Sequence, residues 1–189
     1  VRLRDAFPWT RLYSMYGLTE CKRTLYLPPE ELDRRPGSVG IAIPGTEVWI
    51  EDETGNRLVP GEIGELVVRG SHVMQGYWNK PEANGEVFRE IEGSRYFLTG
   101  DIGHVDEDGY VIITDRKKDM ILVGGFNVYP REVEDILFTH PKVALAAVVG
   151  VPDAKSGESV KAFIQLKPGE SATEEEIRQF CKENMAGYK

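Results

Sequence analysis

The segment Tyr16-Gly17-Leu18-Thr19-Glu20 brings several kinds of chemistry together within a short stretch of chain. Tyr16 offers an aromatic face, Gly17 allows a close backbone approach, Thr19 carries a hydroxyl and Glu20 a carboxylate. Such a set could stack a base, hydrogen-bond a phosphate and hold a divalent cation through Glu20. The same residues are typical of a loop whose Thr19 and Glu20 cap the next element. The pattern alone leaves both interpretations open.

Two further segments carry more polar specificity than packing requires. Asp101 follows Thr99-Gly100 at what the pattern predicts to be an element boundary, where its carboxylate could accept from the vicinal hydroxyls of a sugar. A turn-forming aspartate after glycine is the alternative. The segment from Arg116 to Gly125 pairs a basic cluster with a Gly-Gly loop, and its alternative is a solvated linker.

Composition restricts the class of protein that could carry these groups. The chain has 189 residues, of which 41% are hydrophobic and 29% charged, so it is long enough to fold around a core. Its 23 lysines and arginines against 31 acids give a net charge of −8, which argues against a nucleic-acid-binding surface built on bulk charge. No apolar run has the length of a transmembrane segment.

The cysteines and histidines give no sign of a disulfide framework or a zinc site. Cys21 and Cys181 lie far apart in sequence, and the three histidines lack carboxylate or cysteine companions at ligand spacing. A reducing compartment is the simpler interpretation of two separated cysteines, so we expect a cytoplasmic protein.

The first part of the chain predicts strands and turns around the candidate residues. Leu12–Tyr16 reads as a buried strand of an α/β layer that ends in the loop at Gly17. Two β-rich runs separated by Gly and Pro turns, Thr46–Glu51 and Glu65–Val68, predict a small antiparallel sheet or barrel. Asp108-Gly109 predicts a hairpin turn between residues 102–105 and 110–114.

The second part predicts a small α+β unit after the exposed charge cluster Asp115–Asp119, where we place the domain boundary. Pro130 opens a helix with apolar residues at helical spacing, and Leu145–Val149 predicts a fully buried strand. Residues 160–166 alternate as a half-exposed strand, and Thr173 with Glu176 forms a capping box for a last helix that Gly187 would end.

The same segments resemble the motifs of the adenylate-forming superfamily of acyl-CoA synthetases, luciferases and peptide-synthetase adenylation domains. Residues 16–20 resemble its Y-G-x-T-E motif, and residues 96–101 its Y-x-T-G-D motif. Residues 115–121, with Gly124-Gly125 and Pro130, resemble its hinge motif. The three motifs occur in the order and approximate spacing of that family, and the resemblance covers essentially the whole chain.

The resemblance implies a role for each candidate residue in joining a carboxylate to the α-phosphate of ATP and passing the acyl group to CoA. Residues implied in nucleotide binding are Met15, Tyr16 and Gly17 at the adenine, Thr19 at a phosphate, Asp101 at the ribose and Arg116 near both. Glu20 would bind Mg²⁺, so Thr19 and Glu20 are the implied catalytic residues. Lys118 would be the hinge, and Gly124-Gly125 would leave a path for the pantetheine arm of CoA.

The resemblance also implies a fold class and a division of the chain. We expect an α/β layer and β-barrel remnant of the large adenylating domain over residues 1–115, then a small, mobile α+β C-terminal domain, truncated, over residues 116–189. The family's phosphate loop, acyl pocket and C-terminal lysine lie outside this sequence. We therefore expect a fragment that is inactive alone.

The expected intact protein is an AMP-forming acyl-CoA synthetase acting on a carboxylic acid, by expectation a fatty acid, with ATP, Mg²⁺ and CoA. Its partners would be these small molecules, without nucleic acid and without a transmembrane segment. Two alternatives stay open: an adenylation domain that loads a carrier protein, and a non-catalytic nucleotide-binding module. Acyl chain length and oligomeric state are not encoded in the motifs.

Overall fold

A computed structural model describes residues 2–91 and 93–189 of the chain. The chain divides into two compact units, Val1–Ile113 and Thr114–Lys189. Each unit has its own cluster of buried apolar side chains. The fold is mixed, with antiparallel sheets and short helices in both units, as the sequence predicts.

The first unit is built mainly from short antiparallel strands. Its elements in chain order are α1 (Arg2–Ala6), β1 (Ser14–Tyr16), β2 (Leu25–Leu27), β3 (Ile41–Ala42), β4 (Thr46–Glu51), β5 (Gly64–Gly70), α2 (Pro81–Val87), β6 (Phe88–Ile91), β7 (Ser94–Val105) and β8 (Val111–Arg116). One sheet has the order β1-β2-β3, and a larger one has the order β4-β5-β7-β6, with β8 paired to β7. Within the described residues these sheets stay open and form no closed barrel.

Strand β5 lies at the centre of the larger sheet and is buried on both of its faces. Leu66 and Val68 pack with Leu25, Ile50 and Val111 in the main core cluster. Val67, which alternates with them, packs on the other side against Trp49 and Tyr96. A strand buried on both faces needs an uninterrupted apolar run, which is what residues 66–68 supply.

The prediction of a buried strand at residues 12–16 is wrong. Strand β1 has only three residues, and Ser14 and Met15 are exposed while Tyr16 is half-buried. It pairs antiparallel with β2, which follows it in the chain, and not with strands of an α/β layer. The apolar run therefore marks an edge strand that leads directly into the loop at Gly17.

The second unit places two helices on a four-stranded antiparallel sheet. Its elements are β9 (Ile121–Val123), β10 (Phe126–Val128), α3 (Pro130–Thr139), β11 (Val143–Asp153), β12 (Gly157–Leu166) and α4 (Glu174–Asn184), with the strand order β10-β9-β12-β11. Helix α3 buries Val133 and Leu137 against Ile121, Val128 and Val148 of the sheet. The helices and hairpins of this unit follow the predicted order.

Two local predictions in the second unit are wrong. Leu145 and Val149 of β11 are 59% and 43% exposed, because only the other face of the sheet, which carries Ala146 and Val148, packs in the core. Helix α4 ends at Asn184, before Gly187. Its start is as predicted, since the Thr173 hydroxyl accepts a hydrogen bond from the Glu176 backbone N–H at 3.2 Å.

Candidate functional site

The loop between β1 and β2 is a tight turn that projects the candidate residues. The Leu18 and Cys21 backbones exchange two hydrogen bonds of 3.3 Å, and the Thr24 N–H donates to the Tyr16 carbonyl at 2.9 Å. A Cβ at Gly17 would lie 2.6 Å from the Arg23 backbone nitrogen, so only glycine fits where the loop closes. Thr19 is exposed at the tip of this turn, and Glu20 is half-buried.

A hydrogen bond joins two of the predicted segments across 85 residues of sequence. The Tyr16 hydroxyl donates to Oδ2 of Asp101. Asp101 is only 2% exposed, so a carboxylate is held inside the unit directly beside the aromatic ring. The structure therefore brings Tyr16 and Asp101 together, which the sequence spacing alone could not establish.

Asp101 lies in a bulge within β7, so the prediction of an element boundary at this position is wrong. Leu66 of β5 alone lies opposite the three residues Thr99, Gly100 and Asp101, because the pairing shifts between Val67↔Leu98 and Glu65↔Ile102. Gly100 adopts a φ of +71°, a region that favours glycine. The bulge turns the Asp101 side chain to the side where Tyr16 lies.

Buried polar groups hold this bulge in place. The Thr99 hydroxyl donates to the Leu66 carbonyl at 2.8 Å and accepts from the Asp101 N–H at 3.1 Å. The Gly100 N–H donates to Oε1 of Glu65 at 2.9 Å, and Glu65 is 8% exposed. Because buried polar groups are costly without partners, these bonds fix the orientation of Asp101 before any ligand arrives.

Burial and the Asp101 carboxylate both act on the Tyr16 phenol. Loss of hydration on burial, followed by the hydrogen bond to Asp101, raises the pKa of Tyr16 above its ordinary value of about 10. The phenol is thus a neutral donor at physiological pH. Burial likewise raises the pKa of the nearby Cys21 thiol, which makes it a poor nucleophile.

Glu20 has one oxygen occupied by a tyrosine from the segment before α2. The Tyr77 hydroxyl donates to Oε1 of Glu20 at 2.7 Å, and this hydrogen bond is the main cause that raises the pKa of Tyr77. Mg²⁺ is bound in proteins by one or two carboxylates together with substrate phosphates. A single half-buried carboxylate with a second oxygen available fits that donor set, and within the described residues no group of three or more metal-binding side chains occurs.

The remaining predicted residues belong to the second unit or to the strand that leads into it. Arg116 is exposed at the end of β8, and its N–H donates to Asp115 at 2.7 Å. Lys118 is exposed in the short 3-10 turn Lys117–Asp119. These residues form a charged, solvent-facing connection, in agreement with the sequence pattern.

Gly124 and Gly125 form the two-residue turn of the β9–β10 hairpin. Their φ values are +57° and +89°, and Phe126 pairs with Val123 across the turn, which is the geometry of a type I′ hairpin. A Cβ at either position would meet no atom of this chain within 4 Å. Within this chain the glycines are therefore required by backbone conformation, and both border open space.

Sequence reasoning missed Tyr77 and Glu65. Tyr77 contacts Glu20 from 57 residues away, and Glu65 holds Gly100 from 35 residues away. A weak signal for Tyr77 exists, because it stands in an unusual Gly-Tyr-Trp cluster next to a Pro-headed helix. Residues 61–66, which include Glu65, also fit the pattern of the family, but this match did not indicate the contact with Gly100, since an acid in a β-strand usually faces solvent.

A cavity in the second unit has a different chemistry. It encloses about 760 Å³ between α4 and β12 and is lined mainly by apolar side chains such as Val160, Ile164, Ile177 and Met185. It contains none of the predicted site residues. Among the described residues no helix has the length and apolar character needed to cross a membrane.

Two family models match parts of this chain, and both describe AMP-binding enzymes. The AMP-binding enzyme family matches residues 1–78, and the AMP-binding enzyme C-terminal domain matches residues 132–189. A long-chain-fatty-acid–CoA ligase of Escherichia coli O157:H7 is 47% identical over 92% of this chain, and one of Bacillus subtilis is 43% identical over 95%. The chain spans 30% and 31% of the length of these two relatives.

Two solved structures are also similar to this chain in fold and sequence. ATP-bound MatB from Rhodopseudomonas palustris has a TM-score of 0.85 and 39% identity over 95% of this chain, which spans 35% of that structure. The o-succinylbenzoate CoA synthetase of Bacillus subtilis, in complex with an acyl-adenylate intermediate, has a TM-score of 0.78 and 36% identity over 95% of this chain and 36% of its own.

Proposed function

Because the chain belongs to the AMP-binding enzymes of the adenylate-forming superfamily, we propose that it serves in an ATP-dependent acyl-CoA synthetase. That enzyme would activate a carboxylic acid, specifically a fatty acid, as acyl-AMP and then transfer the acyl group to CoA. The activity belongs to the full-length protein that carries this sequence, since the chain corresponds to 30% of the first relative. A cytoplasmic location is part of the proposal, because both cysteines are free thiols.

The observation that carries the proposal is the hydrogen bond from Tyr16 to the buried Asp101 carboxylate. It places an aromatic ring beside a fixed acceptor, and an adenosine can use both of these groups. The ring can stack on the base, and the carboxylate can accept from the two ribose hydroxyls. A glycine-dependent bulge aims this carboxylate, and such bulges are over-represented next to active sites, where they re-aim a side chain.

Adenylation joins two anions, so charge must be neutralised where they meet. In the proposed site the backbone of Met15–Gly17 lines the adenine beside Tyr16, and the exposed Thr19 hydroxyl donates to a phosphate oxygen. Arg116 adds a positive donor near the ribose and the phosphate. These groups act by position and charge, because phosphoryl chemistry of this kind needs little covalent participation by the protein.

Glu20 is the proposed ligand of Mg²⁺. Its carboxylate is half-buried, at the loop that presents Thr19, and one oxygen is already oriented by Tyr77. Mg²⁺ bound there would neutralise phosphate charge and help to orient the nucleotide. Thr19 is therefore proposed to contact a reacting phosphate directly, and Glu20 is proposed to act on the phosphates through the bound Mg²⁺.

Thiol transfer is proposed to use the second unit. Lys118 would be the hinge residue, because it lies in an exposed, charged turn where little packing has to break when the backbone rotates. The hairpin turn Gly124-Gly125 would border the path of the CoA pantetheine arm, since neither position carries a side chain and both face open space.

The reaction class is tested by acid-dependent ATP–pyrophosphate exchange of the full-length protein across carboxylic acids of increasing chain length. We expect exchange with fatty acids, and we expect Asp101→Asn to raise the KM for ATP because the amide offers only one acceptor oxygen to the ribose. Absence of acid-dependent exchange would favour a non-catalytic nucleotide-binding module and refute the proposal.

The acceptor is tested separately, because the nucleotide residues would serve any acyl acceptor. The full-length protein is incubated with ATP, a fatty acid and either CoA or a phosphopantetheinyl carrier protein, and the products are separated by mass. We expect acyl-CoA. Acyl-carrier without acyl-CoA would instead assign the protein as a carrier-loading adenylation enzyme.

A further inference from the structure

Tyr77 stands at the centre of a hydrogen-bonded chain that ends on Glu20. Its hydroxyl donates to Oε1 of Glu20 at 2.7 Å, and its own backbone is held by the side chain of Asn84. We propose that Tyr77 is a positioning residue, locked by Asn84, that orients the Glu20 carboxylate toward the divalent cation of the bound nucleotide. The inference rests on the proposed function for its assignment of Glu20 as the metal ligand.

Asn84 holds Tyr77 with both ends of its amide. The Tyr77 N–H donates to Oδ1 of Asn84 at 2.7 Å, and Nδ2 of Asn84 donates to the Tyr77 carbonyl at 3.0 Å. Asn84 is fixed in turn, because it lies within helix α2 and its N–H donates to the Lys80 carbonyl at 3.0 Å. A side chain that satisfies both backbone groups of one residue fixes that residue far more firmly than a single contact would.

Gly76, the residue before Tyr77, leaves room for the hydrogen bonds between Asn84 and Tyr77. Gly76 has a φ of +139°, and a Cβ there would lie 2.9 Å from Oδ1 of Asn84. Any side chain at position 76 would therefore push against the oxygen that accepts from Tyr77, and would also strain the backbone. The approach of Asn84 to Tyr77 depends on the absence of that side chain.

The backbones of the two segments are also joined directly beside Glu20. The Met74 N–H donates to the Glu20 carbonyl at 2.8 Å, and Cys21 forms an antiparallel bridge with Val73. The register between the loop and residues 73–77 is thus set by main-chain bonds. From this register the Tyr77 hydroxyl reaches Oε1 of Glu20.

The hydrogen bond from Tyr77 restricts the orientation of the Glu20 carboxylate. It occupies Oε1 and restricts rotation about the last side-chain bond, so that the second oxygen keeps one direction. Ligating carboxylates are commonly held by such outer partners, whose loss weakens metal affinity by roughly 10–100-fold. A purely structural role for Tyr77 would change protein stability without selectively changing metal affinity.

The test measures metal binding directly, independently of catalysis. The full-length protein is saturated with α,β-methylene-ATP, and free Mn²⁺ is titrated by electron paramagnetic resonance. Wild type is compared with Tyr77→Phe, which removes only the hydroxyl, with Asn84→Ala, and with Glu20→Gln as the reference for loss of the ligand. Tyr13→Phe removes a hydroxyl from a 50% exposed tyrosine and is the matched control.

For Tyr77→Phe we expect the dissociation constant for Mn²⁺ to rise by about tenfold, with a smaller rise for Asn84→Ala and none for Tyr13→Phe. Nucleotide affinity measured in EDTA should be unchanged for Tyr77→Phe. A wild-type Mn²⁺ constant in Tyr77→Phe, beside a clear loss in Glu20→Gln, would overturn the inference and leave the proposed function intact.

Three other outcomes would also overturn the inference and are distinguishable from the first. If Tyr77→Phe weakens nucleotide binding in EDTA as much as it weakens Mn²⁺ binding, Tyr77 acts on general structure and not on the carboxylate. If Glu20→Gln retains wild-type Mn²⁺ affinity, Glu20 is not the metal ligand and the inference fails, while the proposed reaction still depends on the exchange assay. If the wild-type protein binds no nucleotide, the proposed function fails and the inference fails with it.

Discussion

Tyr16→Phe tests whether the phenol that meets Asp101 stabilises the first unit. The substitution keeps the ring and deletes only the hydroxyl that donates to the buried carboxylate. A hydrogen bond to a charged group contributes about 1.5–3 kcal/mol, and Asp101 retains a further interaction. We therefore expect Tyr16→Phe to lose about 2 kcal/mol of unfolding free energy at pH 7.

The same hydroxyl predicts how this difference changes with pH. The pKa of Tyr16 is raised in the folded state by burial and by Asp101, whereas in the unfolded chain it returns to about 10. At a pH between the unfolded-state pKa and the raised folded-state pKa, only the unfolded state loses the Tyr16 proton. The stabilisation is therefore present below pH 10 and decreases as the pH rises above it. At pH 11 this linkage removes about 1.4 kcal/mol from the wild type alone, leaving a difference of roughly 0.6 kcal/mol.

In this 189-residue chain tryptophan fluorescence reports the unfolding of the first unit, because Trp9, Trp49 and Trp78 all lie there. Urea denaturation of wild type and Tyr16→Phe is followed at pH 7 and pH 11, with Tyr13→Phe as the control, which should match the wild type at pH 7. Other tyrosines and lysines are common to both proteins and cancel in the difference. An equal difference at the two pH values, or none at pH 7, would contradict a stabilising hydrogen bond from the neutral Tyr16 phenol to Asp101.

Two further predictions concern the second unit and the segment that leads into it. Gly125→Ala should destabilise the second unit by about 1–2 kcal/mol, because alanine resists a φ of +89°. Urea denaturation followed by circular dichroism measures the loss. Gly187→Ala is the control, since a Cβ there meets no atom within 4 Å, and it should leave the unfolding free energy unchanged. Lys118→Pro should slow thiol transfer more than ATP–pyrophosphate exchange, because proline restricts φ at the proposed hinge; equal loss of both steps would contradict the hinge role.

Local patterns predicted the helices and hairpins whose causes lie within a few residues. Pro130 and the apolar spacing up to Leu137 specify α3, and the Thr173 hydroxyl caps α4 as the capping box predicts, although the Glu176 carboxylate pairs with Lys142 instead of closing the box. The Asp108-Gly109 turn joins β7 to β8. Each depends on capping or turn chemistry that neighbouring residues supply.

The features that the sequence could not supply are those set by pairing between distant segments. The exposure of Leu145 and Val149 depends on which face of the sheet the helices cover, which an apolar run does not reveal. The bulge at Asp101 depends on the register of β5 against β7. The candidate residues could be named from motifs, but their hydrogen-bond partners could not.

Crystallographic analysis of the full-length protein with bound AMP would locate the nucleotide relative to Tyr16 and Asp101. We expect the two ribose hydroxyls to lie within hydrogen-bond distance of the Asp101 carboxylate and the adenine to lie against the Tyr16 ring. AMP bound elsewhere, with Asp101 contacting only protein groups, would contradict the assignment of this site.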